Sequence, residues 1–404
     1  MREVHNECLA PEDTWVEELV LTHHGVQYFL RYCNPLAAFL GILRNPLFQG
    51  RFDFGTDAEL NSAKKRIYHQ VNRCDYARNL AKSLPDLCAG ENILLWGFYS
   101  DKTHLDFQGK RVRYPVYVFI LNLEAAASYN IQAIICVAYL PVVQASETER
   151  KLETHRALKS VLLNDCLRRV FRLVLQVQHH GWDVRMPDDS VQTFHLRLAA
   201  VPCDMAESWD LLAIMHRRGH MCYVAKSQMS HIPEDGVCPC QLRSVRDADD
   251  AQGDAALLLE KGIRSFNDYG RPFVFDLLSA GDKPGMDIFV VMSALERLHV
   301  CGGFYKKTIE CALQFAGSTA DVLHQRMAQM THFPYFKIHA KGFQRANLDT
   351  KERLHMLTVL PFLLDGIKKQ AFLFSQAVLQ LLEYVRSLRR TSNTAGMKPI
   401  PCLS

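Results

Sequence analysis

The sequence predicts a mixed α/β fold, and three observations carry that prediction. Apolar runs rich in Ile, Val, Leu and Tyr follow in quick succession at about 92–99, 114–121 and 132–139, with polar turns between them. From about Thr154 to Gln178, apolar residues recur at three- and four-residue steps, the period of one helical face. A further strand-like run, FHLRLAAVPCD, then leads directly into a helical run, MAESWDLLAIMHRR.

Size and composition narrow the possibilities. A chain of 404 residues allows two or three structural units. A hydrophobic content of 48 % supports a large core and excludes global disorder. The net charge of +4 permits a nucleic-acid partner without requiring one. The 13 cysteines are scattered, apart from Cys238 and Cys240, which fits a reducing compartment such as cytosol or nucleus. The N-terminal stretch MREVHNECLAPEDTW lacks the apolar centre of a signal peptide. The longest uncharged stretch, Ala125 to Ser146, contains Asn130, Gln132, Pro141 and Gln144 and reads as a buried strand with polar flanks, so no membrane partner is expected.

Taken in order, residues 1–90 read as a mostly helical N-terminal flank. Within it, NPLAAFLGILRNPLF forms an apolar helix bounded by Asn-Pro turns. Residues 91–225 form the core. Its long helix, with Leu158, Val161, Leu162, Cys166, Val170, Leu173, Val174 and Val177 on one face, ends at His-His-Gly with Gly181 as C-cap. Residues 226–256 hold a Cys-containing insertion and an acidic linker, DADDAQGDAA. Residues 257–390 are largely helical, and 391–404 read as a disordered tail.

The core therefore runs strand, strand, strand, helix, strand, helix. This β-β-β-α-β-α order is that of an RNase H-like mixed sheet. Three strands pair antiparallel, and a helix then crosses over to lay a fourth strand parallel to the first. Asp101 ends the first strand and Asp204 ends the fourth, so the topology would bring them to neighbouring strand ends.

Two carboxylates held close repel each other unless one protonates or a divalent cation lies between them. Oxygen donors of this kind suit magnesium or manganese. Two such ions can clamp the attacking and leaving oxygens of a phosphodiester. The plainer alternative is that each acid closes a turn or caps a helix. Asp204 before MAESW would then be an N-cap, with Glu207 as its capping-box partner.

The stretch SDKTHLDFQGKRVRYPVYVFILNL, followed by ICVAYLPVV, resembles the core of Plavaka-type transposases, relatives of the CACTA cut-and-paste elements. NPLAAFLGILRNPLFQGRFDF upstream, and HRALKSVLLNDCLRRVF, VPCDMAESWDLL and ADVLHQRMAQM downstream, fall in the order of that family, from about 25 to 385. The resemblance implies a DDE acid set on an RNase H-like domain, with DNA at transposon ends as partner, magnesium or manganese as cofactor, and the nucleus as compartment. It assigns Asp101 as first acid, Asp204 as second, and Asp321 to an Asp-x-x-His element that serves or supports the site. Glu352 and Glu383 are the candidates for the third acid. A homo-oligomer is compatible with this reading.

Three further readings attach to it. Near Cys238 and Cys240 the family carries a Cys-Pro-x-Cys pair for structural zinc. Here the pair is Cys-Pro-Cys, with His216 and His220 as further ligands, and one residue between thiolates chelates poorly. Lys102, Lys110, Arg111 and Arg113 flank the acids as phosphate contacts, or are solvated surface charge. The alternative to an active DDE-type transposase or nuclease is a catalytically inactive or degenerate transposon-derived DNA-binding protein. No Gly-rich phosphate loop, Gly-x-Ser-x-Gly elbow or His-Glu-x-x-His motif points to an unrelated enzyme class.

Overall fold

The computed structural model describes residues 15–57, 71–83, 90–100, 102–104, 112–128, 130–178, 180–203, 205–215 and 245–277, with short pieces between 59 and 67. It also describes 309–310, 320–329, 355 and 359–360. The chain divides into two compact units, Met1–Ala294 and Leu295–Ser404.

The first unit is built on a seven-stranded mixed sheet. Its strands are β1 (Val16–His23), β2 (Val26–Tyr32), β3 (Glu91–Ser100), β4 (Pro115–Ile120), β5 (Ile134–Tyr139), β6 (Trp182–Arg185) and β7 (Val191–Ala200), in the spatial order β1-β2-β5-β4-β3-β7-β6. β3, β4 and β5 pair antiparallel, and β7 lies parallel beside β3, with Leu196 opposite Leu94 and Leu198 opposite Trp96. The expected four-strand order is present, and three further strands extend it at both edges.

Two of those strands correct the expectation of a mostly helical N-terminal flank. β1 and β2 form a hairpin closed by His24 and Gly25, both in left-handed backbone at φ 50° and 74°. A two-residue turn needs positive φ at both positions, which glycine and a short polar or imidazole side chain tolerate. The charged residues of VEELVLTH obscure its alternation, because this strand lies at the sheet edge. The Asn-Pro helix forms as read. In α1 (Pro35–Arg44), Asn34 accepts from the Leu36 amide at 2.9 Å, and Asn45 accepts from the Leu47 amide at 3.0 Å to open the next turn.

β3 is apolar along nearly its whole length because both its faces are covered. Leu94, Trp96 and Phe98 face the main core, and Ile93 and Leu95 pack with Ala77 and Leu80 of α2 (Asp75–Ser83). Phe171 anchors the main core, with ring centroids 5.3 Å from Trp96, 5.2 Å from Phe98 and 5.6 Å from Phe273. The long helix breaks at this residue into α3 (Glu153–Val170) and α4 (Arg172–Val177).

The buried face of α3 is also broader than the single stripe that the sequence predicts. Ser160 and Asn164 are buried, and Val161 is 41 % exposed. Asn164 accepts from the Phe273 amide at 2.8 Å and donates to the Ser160 carbonyl at 2.9 Å. A second layer within residues 245–277 packs on α3, and Asn164 ties Phe273 to it. Beyond α4, Gly181 stands at φ 80° and donates to the Val177 carbonyl at 3.0 Å.

The stretch read as an acidic linker folds into that second layer. After α5 (Met205–Leu211) come α6 (Val245–Asp250), α7 (Ala255–Lys261), α8 (Phe266–Tyr269) and α9 (Phe273–Asp276). The acids here serve as caps and ion-pair partners. Asp254 accepts from the Ala256 and Leu257 amides, and Asp247 pairs with Lys261 at 3.0 Å. No helix among the described residues is long and apolar enough to cross a membrane. In the second unit, α10 (Ala320–Ala328) buries Met327 and exposes Asp321.

Candidate functional site

The parallel pairing of β3 and β7 sends both strand ends to one edge of the sheet. Gly97 lies opposite Ala200 across the seam, where an added Cβ would stand 2.7 Å from the Ala200 carbonyl oxygen. Past β3 the chain continues through Asp101, and past β7 through Val201, Pro202, Cys203 and Asp204 into α5. Asp101 and Asp204 themselves lie outside the described residues, whereas their sequence neighbours are joined.

The junction is tied by Glu207. Ser100, the last residue of β3, is buried, and its hydroxyl donates to Glu207 Oε1. The Tyr114 hydroxyl donates to the same oxygen at 2.7 Å. Burial, then the adjacent Glu207 charge, pushes the Tyr114 phenol well above the ordinary tyrosine range. One carboxylate oxygen thus joins β3, the start of β4 and the first turn of α5.

One turn further, Asp210 is buried between two cations. Lys159 Nζ of α3 stands 2.6 Å from Oδ2, and Arg264 NH1 stands 2.9 Å from Oδ1. Arg264 also lies over the Tyr269 ring at 4.7 Å. This pairing fixes α5 against α3 and the second layer.

A cleft of about 1940 Å³ opens beside the junction. Its lining is strongly basic. Arg31, Lys102, Arg113, Arg150 and Lys159 face it, against the acids Glu17, Glu149 and Asp210, of which Asp210 is already paired. Burial, followed by repulsion from Lys159 and Arg150, lowers the Lys102 pKa. Burial likewise lowers that of His155 in the same cleft, against the pull of Glu149.

Of the residues singled out from the sequence, Lys102 and Arg113 line this cleft and are exposed. Asp321 belongs to the second unit and is exposed there. Lys110, Arg111, Glu352, Glu383, His216, His220, Cys238 and Cys240 lie outside the described residues. Among the described residues, no three His, Cys, Asp or Glu side chains group as a metal site.

Sequence reasoning gave Glu207 only a capping role and passed over Tyr114, Asp210, Arg150 and Lys159. A detectable signal existed for the two acids. Both fall on one face of α5, one turn apart, directly after a strand that ends in an acid.

The arrangement defines a class of protein, a mixed-sheet α/β core with a cation-lined cleft beside the joined ends of two parallel strands. A family model for Plavaka transposases matches residues 13–289, and the chain belongs to that family. The matched stretch ends at 289, so Asp321, Glu352 and Glu383 fall beyond it. No curated protein matches the chain.

Proposed function

We propose that the sheet is the RNase H-like core of a DDE-type transposase, and that it cleaves and joins DNA strands at transposon ends. The observation that carries this reading is the joining of Ser100 to Glu207. Ser100 immediately precedes Asp101, and Glu207 follows Asp204 by three residues. A contact between these neighbours, just where two parallel strands end, is what a shared two-acid site requires. Membership of a transposase family supports this reading.

Asp101 and Asp204 would hold magnesium or manganese, whose bound form activates the attacking oxygen and stabilises the departing one. The donor set is chemically suited, since both are hard carboxylates. The remaining work falls to this chain's own groups. Glu207 takes the protons of Ser100 and Tyr114 into hydrogen bonds and thereby fixes the spacing of the two strand ends. Lys102, one residue past Asp101, presents a cation where a scissile phosphate would lie. Ser100 is buried at the end of β3, and Glu207 holds the Tyr114 hydroxyl beside it. With DNA as substrate, the proposed compartment is the nucleus.

The test is strand nicking of a labelled duplex in magnesium. Asp101→Asn and Asp204→Asn should each abolish nicking while leaving the circular dichroism spectrum unchanged. Full nicking by Asp101→Asn would end the assignment. A wild-type chain that binds DNA and never nicks it would instead identify an inactive descendant.

A further inference from the structure

The cleft carries more positive charge than the fold uses. Elsewhere in the first unit, several arginines are paired with carboxylates, as in Arg73–Asp53, Arg168–Asp276 and Arg271–Asp249. In the cleft, Arg31, Lys102, Arg113 and Arg150 have no carboxylate partner among the described residues. Four cations without a paired carboxylate on one concave surface repel one another. Their arrangement is that of a site built for an anion longer than one group.

Two walls divide the work. On the sheet wall, Arg31 lies 5.6 Å over the Trp15 ring and Arg113 lies 6.0 Å over the Tyr139 ring. Trp15 and Tyr139 stack on each other at 5.8 Å, and Arg31 pairs in register with Tyr139. Both guanidinium groups are thus held against aromatic rings, which restricts them while leaving N–H donors available. On the helix wall, Arg150 donates to the Ala145 carbonyl at 3.0 Å, which fixes its side chain at the rim. Lys102 faces it from the end of β3.

We propose that this cleft is a track for the sugar–phosphate backbone of DNA, gripped by Arg31 and Arg113 on the sheet wall, by Arg150 on the helix wall and by Lys102 beyond the end of β3. The inference rests on the transposase reading for the identity of the polyanion, and it names the surface that reading leaves open. Contacts of this kind position the duplex and carry no base sequence, so sequence choice at transposon ends belongs to other surfaces.

The experiment is fluorescence anisotropy of a labelled DNA duplex with the full chain, titrated with salt in calcium. Nicking is measured separately in magnesium. The variants are Arg31→Ala, Arg150→Ala and their combination. Arg31→Lys keeps the charge, and Arg246→Ala is a control whose partner Asp250 lies outside the cleft. Each alanine should lower the slope of log affinity against log salt by about one and weaken binding alike on unrelated sequences. Arg31→Lys and Arg246→Ala should keep the wild-type slope.

An unchanged slope in the double variant would overturn the inference, as would tighter binding of duplex RNA than of DNA. If the wild type nicks DNA while the double variant binds normally, the track is wrong and the transposase reading stands. If binding depends on the cleft but no variant or wild type nicks, the track stands and the catalytic reading falls. A wild type that binds no DNA overturns both.

Discussion

The Tyr114 hydroxyl donates to Glu207 Oε1 across 2.7 Å and 93 positions of chain. Ser100 donates to the same oxygen from 107 positions away. A single carboxylate oxygen is therefore the point where the end of β3, the entry to β4 and the first turn of α5 meet. Removing it should cost more than one ordinary hydrogen bond, because two hydroxyls would be left without an acceptor. Glu207→Ala is expected to lower stability by about 1–3 kcal/mol in urea titration. Glu207→Gln retains an acceptor oxygen and should cost less, while slowing any nicking by loosening the junction. Equal stability of wild type and Glu207→Ala would show that the knot is incidental.

Tyr114 gives that knot a pH signature. Its pKa is raised in the folded chain, first by burial and then by Glu207. Folded and unfolded chains both hold the proton below about pH 10, the ordinary tyrosine value, so the contribution is whole there. Above it the unfolded chain loses the proton first, and stability falls as pH climbs toward the folded value. The urea midpoint should drop as pH rises above about 10 in the wild type and drop less in Tyr114→Phe. Identical pH curves for the two proteins would contradict a buried phenol held against Glu207.

Gly97 has no room for a methyl group. A Cβ there would meet the Phe119 ring at 2.5 Å and the Ala200 carbonyl oxygen at 2.7 Å. The ring can swing aside, but the backbone oxygen belongs to the β3–β7 seam. Gly97→Ala should destabilise by about 1–3 kcal/mol. Pairing it with Phe119→Leu should recover only part of the loss. Full recovery would mean that the seam itself is tolerant.

Asp210 sits between Lys159 and Arg264, and Arg264 is 8 % exposed. Asp210→Ala leaves a buried guanidinium without its counter-charge, a loss of about 3–5 kcal/mol. Replacing both partners, as in Asp210→Leu with Arg264→Met, should restore much of that stability. The contrast between the single and double variants, read by urea midpoint, separates ion-pair loss from packing loss.

How much of this was legible depended on whether a residue's role is local. β3, β4 and β5 stood out because both sheet faces are covered and their sequences are apolar almost throughout. Asp101 and Asp204 stood out because an acid abruptly ends such a run. The β1–β2 hairpin did not, since an edge strand mixes Glu17 and Glu18 with its apolar residues. β6 has only four residues, too few for a period to show. Helices α6 and α7 hide their acids as caps and ion-pair partners, which composition reads as a linker. Glu207 looked like a capping residue because its partners lie some 100 positions away. The cleft was invisible for the same reason, as Arg31, Lys102, Arg113 and Arg150 form no run in the chain and meet only through the sheet.

The most direct test of a shared two-acid site is manganese binding, followed by electron paramagnetic resonance, in the wild type, Asp101→Asn, Asp204→Asn and the double variant. If both acids hold one set of ions, each single variant should lose most of the binding. The double variant should then be little worse, because residues acting as one unit are not additive. Independent, additive losses, or full binding in either single variant, would contradict the site.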